Sequence, residues 1–199
     1  NAINESLARL DTDYVDLLFL HQPAGDWKAG YKLMEEGYKA GKVKALGLSN
    51  FPEEDLQWIL DNAEIKPQMV QVEAHPYYPQ TELKKTLDAN GMGLMAWYPL
   101  GHGDKALIDE VVFTKLAEKY GKTNAQIILR WHVQNGDVVI PGSKNPEHIR
   151  DNFNIFDFKL TPEEMAEIAK IDKNVRYYNA EPEQVQAFAN MAMDFNSQK

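Results

Sequence analysis

Tyr14-Val15-Asp16-Leu17-Leu18-Phe19-Leu20-His21-Gln22-Pro23 runs seven mostly apolar residues straight into a histidine and a proline. A continuous apolar run of this length, bounded by turn residues, reads as a strand buried on both faces of a parallel sheet. Pro23 cannot donate to a ladder, so the strand ends by His21. His21 therefore stands at the carboxyl end of a strand, the edge where parallel α/β folds place their chemistry. Two readings are open at this point: a core histidine that caps the strand, or a functional one.

The surrounding chain alternates strand and helix. Ile3, Leu7 and Leu10 keep helical spacing over residues 1–10, and Asp11-Thr12-Asp13 breaks the pattern. Trp27 to Ala40 reads as a helix with Trp27, Tyr31, Met34 and Tyr38 on one face and Gly41 beyond its end. Strands are expected at Lys42–Leu48, Gln68–Glu73, Gly93–Tyr98 and Asp137–Ile140. Between them, a helix with Pro52 in its first turn runs to about Asn62, and further helices cover Glu82–Ala89, Phe113–Tyr120 and Thr123–Asn135. Asn145 and Pro146 fit N-cap and N1 of the next helix. Thr161-Pro162-Glu163-Glu164 is a capping box ahead of Met165, Ile168 and Ile171. The tail from about Asn174 holds one weak amphipathic segment, Val185 to Met193.

Such alternation means a parallel sheet with helices outside it, either doubly wound or a β/α barrel. No Gly-x-Gly-x-x-Gly follows a strand, which weakens the doubly wound, dinucleotide-binding option. Every strand end carries polar or aromatic residues: His21, Ser49-Asn50, Glu73 with His75, Trp97-Tyr98 and Ser143. A barrel active site needs such residues gathered on one rim.

Composition narrows the function. The 199 residues are 44% hydrophobic and 26% charged, ordinary for one soluble domain. The formal charge of −9 argues against general nucleic-acid binding, which needs a basic surface. No apolar run approaches the ~20 residues of a membrane span, and no signal-peptide pattern opens the chain. With no cysteine there is neither a disulfide framework nor a thiolate metal site, which fits a cytoplasmic protein. Metal-dependent hydrolysis by His21, Glu73 and His75 is a minor alternative that lacks a paired-histidine strand motif.

Several motifs in register resemble the aldo-keto reductases. These are Ser6-Leu7-Ala8-Arg9-Leu10, Asp13-Tyr14-Val15-Asp16-Leu17 with His21-Gln22-Pro23, and Gly47-Leu48-Ser49-Asn50-Phe51. They continue with Gln71-Val72-Glu73-Ala74-His75-Pro76-Tyr77, Trp97-Tyr98-Pro99-Leu100-Gly101, and Ile140-Pro141-Gly142-Ser143 with Asn152. The resemblance covers nearly all of residues 3–172. It implies a (β/α)8 barrel and reversible hydride transfer between NAD(P)H and a carbonyl or alcohol.

By that resemblance His21 donates a hydrogen bond to the carbonyl oxygen, where charge develops in the transition state. Ser49, Asn50 and Gln71 hold the nicotinamide carboxamide, although the first two would also serve as a helix N-cap pair and Gln71 as an inward barrel residue. Trp97 stacks on the nicotinamide, or is a core aromatic. Leu100 and Gly101 pass over the pyrophosphate, while His102 is read as a solvated loop histidine. Ser143, Lys144, Asn145, His148 and Asn152 face the adenosine phosphate at a helix N-terminus. Gln22 stands where many relatives have tryptophan and implies a more polar substrate pocket. Gly142 and His148 replace the family's usual cations, with Lys144 and Arg150 near enough to stand in, so NADP(H) is expected over NAD(H).

The family's catalytic aspartate, tyrosine and lysine lie on strands ahead of residue 1. The expectation is thus about five of eight βα units, one N-terminally truncated barrel domain over 1–199 with a tail at 174–199, and exposed strand edges. Such a chain is expected to self-associate or pair with a missing N-terminal segment, and by itself not to reduce carbonyls. The alternative function is a non-catalytic, nicotinamide-nucleotide-binding fragment.

Overall fold

The computed structural model describes residues 2–191. In chain order the elements are α1 (Ala2–Leu10), β1 (Leu18–Leu20), α2 (Trp27–Lys39), β2 (Leu46–Ser49), α3 (Glu53–Asn62), β3 (Met69–Glu73), α4 (Thr81–Ala89), β4 (Gly93–Trp97), α5 (Lys105–Ile108), α6 (Val111–Tyr120), α7 (Asn124–Gln134), β5 (Val138–Val139), α8 (Pro146–Phe153), α9 (Pro162–Ala169) and α10 (Pro182–Ala187). Two compact units divide them. One holds the chain up to Met69 together with the residues from Asn179 onward, and the other is Val70–Tyr178. No helix among the described residues is long and apolar enough to cross a membrane.

In the first unit β1 and β2 pair in parallel, Leu18 opposite Leu46 and Leu20 opposite Leu48. The predicted strands are cut short because Asp16 interrupts the apolar run: it points to solvent, 3.8 Å from Lys44. Upstream of it only Val15 and Val43 bridge. The expectation that the first strand is buried on both faces is not met. Leu18, Phe19 and Leu20 are each half-buried, because β1 is paired on its β2 side only among the described residues. Gly47 is required opposite Phe19, whose ring would lie 2.5 Å from an added Cβ. Gln68 extends the pairing with its side chain, its Oε1 accepting from Leu46 N at 2.7 Å. Tyr31, Leu46, Leu48, Leu56 and Ile59 form the inner layer, each excluded from water almost entirely. Burial of each such side chain is worth about 1.5–3 kcal/mol.

Helix starts follow the capping chemistry. Asp26 caps α2 by accepting from Ala29 N. Pro52 is the N-cap of α3 and not part of its first turn, and Glu53, Glu54 and Asp55 lie against the positive end of the dipole.

In the second unit the strand order is β3-β4-β5, with β4 and β5 parallel. Helices α5, α6, α7 and α9 pack into one core of Leu107, Phe113, Leu116, Ile127, Ile128, Trp131, Leu160 and Ile168. Thr123 and Thr161 each form the full reciprocal capping box. Asn145 caps α8 with Pro146 behind it. The sequence pattern misses α5 and the 3₁₀ turn Gly101–Gly103, which are too short to carry a helical period. The amphipathic segment expected at Val185–Met193 resolves into the end of α10 and a 3₁₀ turn, Phe188–Asn190. Met193 lies outside the described residues.

Candidate active site

The first unit carries His21, Gln22, Ser49 and Asn50. Pro23, buried, ends the strand run, and this leaves His21 exposed one residue beyond β1. The Phe188 ring meets the His21 imidazole edge-on, centroids 6.3 Å apart. The tail is tied there by a bond from Gly25 N to Gln186 Oε1 at 3.2 Å. Gln22 is half-buried beside them. Ser49 closes β2 fully buried, and Asn50 follows in the left-handed region with φ +59°. Asn50 Nδ2 donates to Ser49 Oγ at 3.3 Å. The pair does not cap α3, because Pro52 holds that position without a side-chain bond. Asparagine is among the few residues other than glycine that adopt this conformation readily.

The second unit carries the rest. Gln71 Nε2 donates to Met95 Sδ at 3.2 Å. Burial alternates along β4, so Met95 shares its face with Trp97 while Leu94 and Ala96 face the other way. Gln71, Met95 and Trp97 therefore occupy one face of the sheet. Trp97 ends β4 half-buried, in T-shaped contact with Tyr98 at 4.6 Å and Tyr178 at 5.6 Å.

Beyond it the backbone is sharply folded. Tyr98, Gly101, His102 and Gly103 all have positive φ. The loop walls a cavity of about 350 Å³ lined by Tyr98, Leu100, His102, Ile108, Ile140 and Gly142, among others. His102 is exposed and lies against the Tyr98 ring, 4.4 Å between centroids. Gly101 is buried and turned inward: an added Cβ would come within 2.4 Å of Leu107 Cδ2 and 3.0 Å of Tyr177 Cε2. The close approach this glycine permits is that of its own chain.

After β5 the chain passes Pro141 and Gly142 to Ser143, whose Oγ accepts from Asn145 N at 3.1 Å. Asn145 Oδ1 accepts from Glu147 N at 2.9 Å. Lys144, His148 and Arg150 are exposed and Asn152 is half-buried, so this is a solvated, cation-bearing helix start.

Two buried groups escaped the sequence reading. His132 faces an acceptor with each ring nitrogen: Nδ1 lies 3.0 Å from Asp137 Oδ2 and Nε2 lies 3.3 Å from the Pro99 carbonyl. Lys84 pairs with the same aspartate. His132 thereby braces the loop that walls the cavity. Glu73, noted as a strand-end residue and in the minor metal alternative but not in this role, is a hub. Its carboxylate receives His75 Nε2 at 3.0 Å and the backbone N–H groups of Tyr177 and Tyr178 at 2.5 and 3.0 Å. Burial pushes its carboxyl up, yet these bonds outweigh that and hold it below its ordinary value. The tail amides that meet Glu73 and the Pro99 carbonyl that meets His132 are remote in sequence and leave no local signal, whereas His75 and Asp137 lie only two and five residues away.

Comparison with known proteins follows the same lines. The family model described as the aldo/keto reductase family matches residues 1–106 and 107–173. The chain is 44% identical over 176 residues to the glyoxal reductase of Bacillus subtilis (strain 168), covering 88% of this chain and 63% of that protein. A crystal structure of MGS-M4, an aldo-keto reductase enzyme from a deep-sea metagenome library of the Medee basin, superposes with a TM-score of 0.84 at 37% identity. It covers 89% of this chain and 66% of its own. The Bombyx mori aldo-keto reductase solved in complex with NADP superposes with a TM-score of 0.81 at 32% identity, covering 89% and 64%. These likenesses identify the strands and helices as part of a (β/α)8 barrel-type fold. The chain spans just under two-thirds of the length of each relative.

Proposed function

The chain belongs to the aldo/keto reductase family, and from that premise we propose that it carries the carbonyl-polarising and cofactor-binding residues of an NAD(P)H-dependent reductase of aldehydes or ketones. The observation that carries the reading is positional. His21 follows the carboxyl end of β1, Ser49 closes β2 and Trp97 closes β4, the strand ends where this fold class does its chemistry.

The residues fit a nicotinamide nucleotide. Trp97 offers a half-buried ring on the same sheet face as Gln71. The cavity behind Leu100 is lined on one side by Ile140, Pro141 and Gly142, the residues that lead along the chain to Ser143 and the Asn145 cap of α8. When bound, the reduced nicotinamide supplies the hydride. His21 donates an N–H to the carbonyl oxygen and stabilises the charge that develops there. Ser49, Asn50 and Gln71 orient the carboxamide and so select the ring face. Leu100 and Gly101 border the pyrophosphate, and Ser143, Lys144, Asn145, His148 and Asn152 take the adenosine phosphate, with NADP(H) preferred. Gln22 makes the substrate pocket polar, which suits small dicarbonyl aldehydes of the kind named for the Bacillus relative.

The test is nicotinamide absorbance with methylglyoxal as substrate, the chain being supplied with the N-terminal strands of a family relative, because by itself it is expected not to turn over. His21→Ala should lower kcat/KM by roughly 10²–10³, the worth of one oxyanion donor. NADPH binding without turnover would instead favour a nucleotide-binding protein that is not a reductase. The proposal includes self-association through the second unit, where Val138, Ile140, Ile149, Phe153 and Phe156 are exposed.

A further inference from the structure

The segment Lys173–Tyr178 has neither helix nor strand, yet it is pinned along its length. Lys173 N and Val175 N both donate to the Tyr77 carbonyl, at 3.1 and 3.3 Å. Tyr177 OH donates to Asp104 Oδ2 at 2.6 Å, and its ring packs on the His75 imidazole with centroids 4.7 Å apart. The last two amides, of Tyr177 and Tyr178, end on the two oxygens of Glu73. That carboxylate is wholly excluded from water. Burying a carboxylate is costly unless donors surround it, and here three N–H groups do, each of which would lose its acceptor with the carboxylate. Its use here is conformational: two N–H groups at the carboxylate fix which way the following rings point. Tyr178 is thereby set in T-shaped contact with Trp97.

We propose that Glu73 is a positioning residue, a latch that holds the Arg176–Tyr178 segment so that Tyr178 fixes one side of Trp97. What that ring receives rests on the cofactor reading above; the latch itself does not. The charged and titratable groups facing Glu73 are His75 two residues beyond it, Arg176 with Nε 4.0 Å away, and the Tyr177 phenol with its partner Asp104. The depressed carboxyl pKa fixes the sign. The latch is fully formed above the ordinary carboxylate range and is lost only as pH falls through the lower, folded value.

The experiment compares the whole chain with its Glu73→Gln variant by site-resolved amide hydrogen exchange. Exchange at Tyr177 and Tyr178 should rise at least tenfold while the core amide of Ile127 is unchanged. Acrylamide quenching of Trp97 emission, assigned by difference from Trp97→Phe, should rise in parallel. Tyr178→Ala should reproduce the quenching change but leave the Tyr177 amide protected. Equal exchange in wild type and variant would overturn the latch, as would altered exchange with unaltered Trp97 quenching. NADPH titration is read separately. No binding by the wild type refutes the cofactor reading while exchange and quenching still decide the latch. Should Glu73→Gln not fold, acid titration of the wild type replaces it. A protonation step in protection at Tyr177 and Tyr178, below the ordinary carboxylate range and absent at Ile127, supports the proposal, and no such step overturns it.

Discussion

Trp97 is held by T-shaped contacts to Tyr98 and Tyr178, so its environment is aromatic before any ligand arrives. A planar cation or ring packed on it would gain an aromatic contact plus the area it buries. Trp97→Ala should therefore remove most of the tryptophan quenching on NADPH addition and weaken binding by about 1–2 kcal/mol. A fluorescence titration that is unchanged in the variant would return Trp97 to a packing role. Lys144 is a separate case. It is exposed at the start of α8, where a 2′-phosphate would meet a cation in water, and such exposed pairs are weak. Lys144→Ala should lower NADPH affinity only several-fold, leave NADH affinity as it was, and lose that contrast in high salt. Equal losses for both cofactors would mean that the lysine does not read the extra phosphate.

At the scale of elements, α7 shows how caps and packing combine. Thr123 and Gln126 close its N-terminus reciprocally. Gln126 Nε2 also donates to the Asp151 and Asn154 carbonyls at 3.1 and 2.9 Å, bracing the end of α8 from inside. Thr123→Ala should cost about 1 kcal/mol, an ordinary cap. Gln126→Ala loses its half of the capping box and its bonds to two carbonyls that each keep another donor, Asn154 N for Asp151 and Lys122 Nζ for Asn154, about 2 kcal/mol in all. Urea midpoints should fall in that order, and the reverse order would contradict the bracing role.

The cap at Thr123, the capping box at Thr161 and the Asn145-Pro146 start were legible in sequence because each is a contact between residues close along the chain. The strand ends at His21, Ser49 and Trp97 were legible for the same reason, each marked by a proline or a turn within a few residues. What local pattern could not supply is the partner of Glu73, whose tail amides come about a hundred residues later. Nor could it supply the Pro99 carbonyl that His132 meets, or the inward use of Gly101 by Leu107 and Tyr177. Each of these depends on what the fold brings near. The shortening of β1 was visible in principle, since Asp16 sits inside the apolar run.

For the molecule as a whole, apolar residues stand in water on the second unit: Ile149, Phe153 and Phe156 are each more than half exposed, and Phe153 and Phe156 lie ring to ring at 5.8 Å. Clusters of this kind mark association surfaces. Sedimentation velocity should show concentration-dependent association that Phe153→Ser with Phe156→Ser reduces, and a monomer at all concentrations would remove that part of the proposal. The strands themselves are two to five residues long, while most helices run eight to thirteen. A far-ultraviolet circular dichroism spectrum of this chain is therefore a helix spectrum. The short β1, β2 and β4 whose ends carry His21, Ser49 and Trp97 could come apart with almost no change in ellipticity at those wavelengths, so retained helicity in a variant says nothing about whether its functional strand ends are still in place. The near-ultraviolet aromatic bands, where the packed rings around Trp97 give their signal, report that loss at β4.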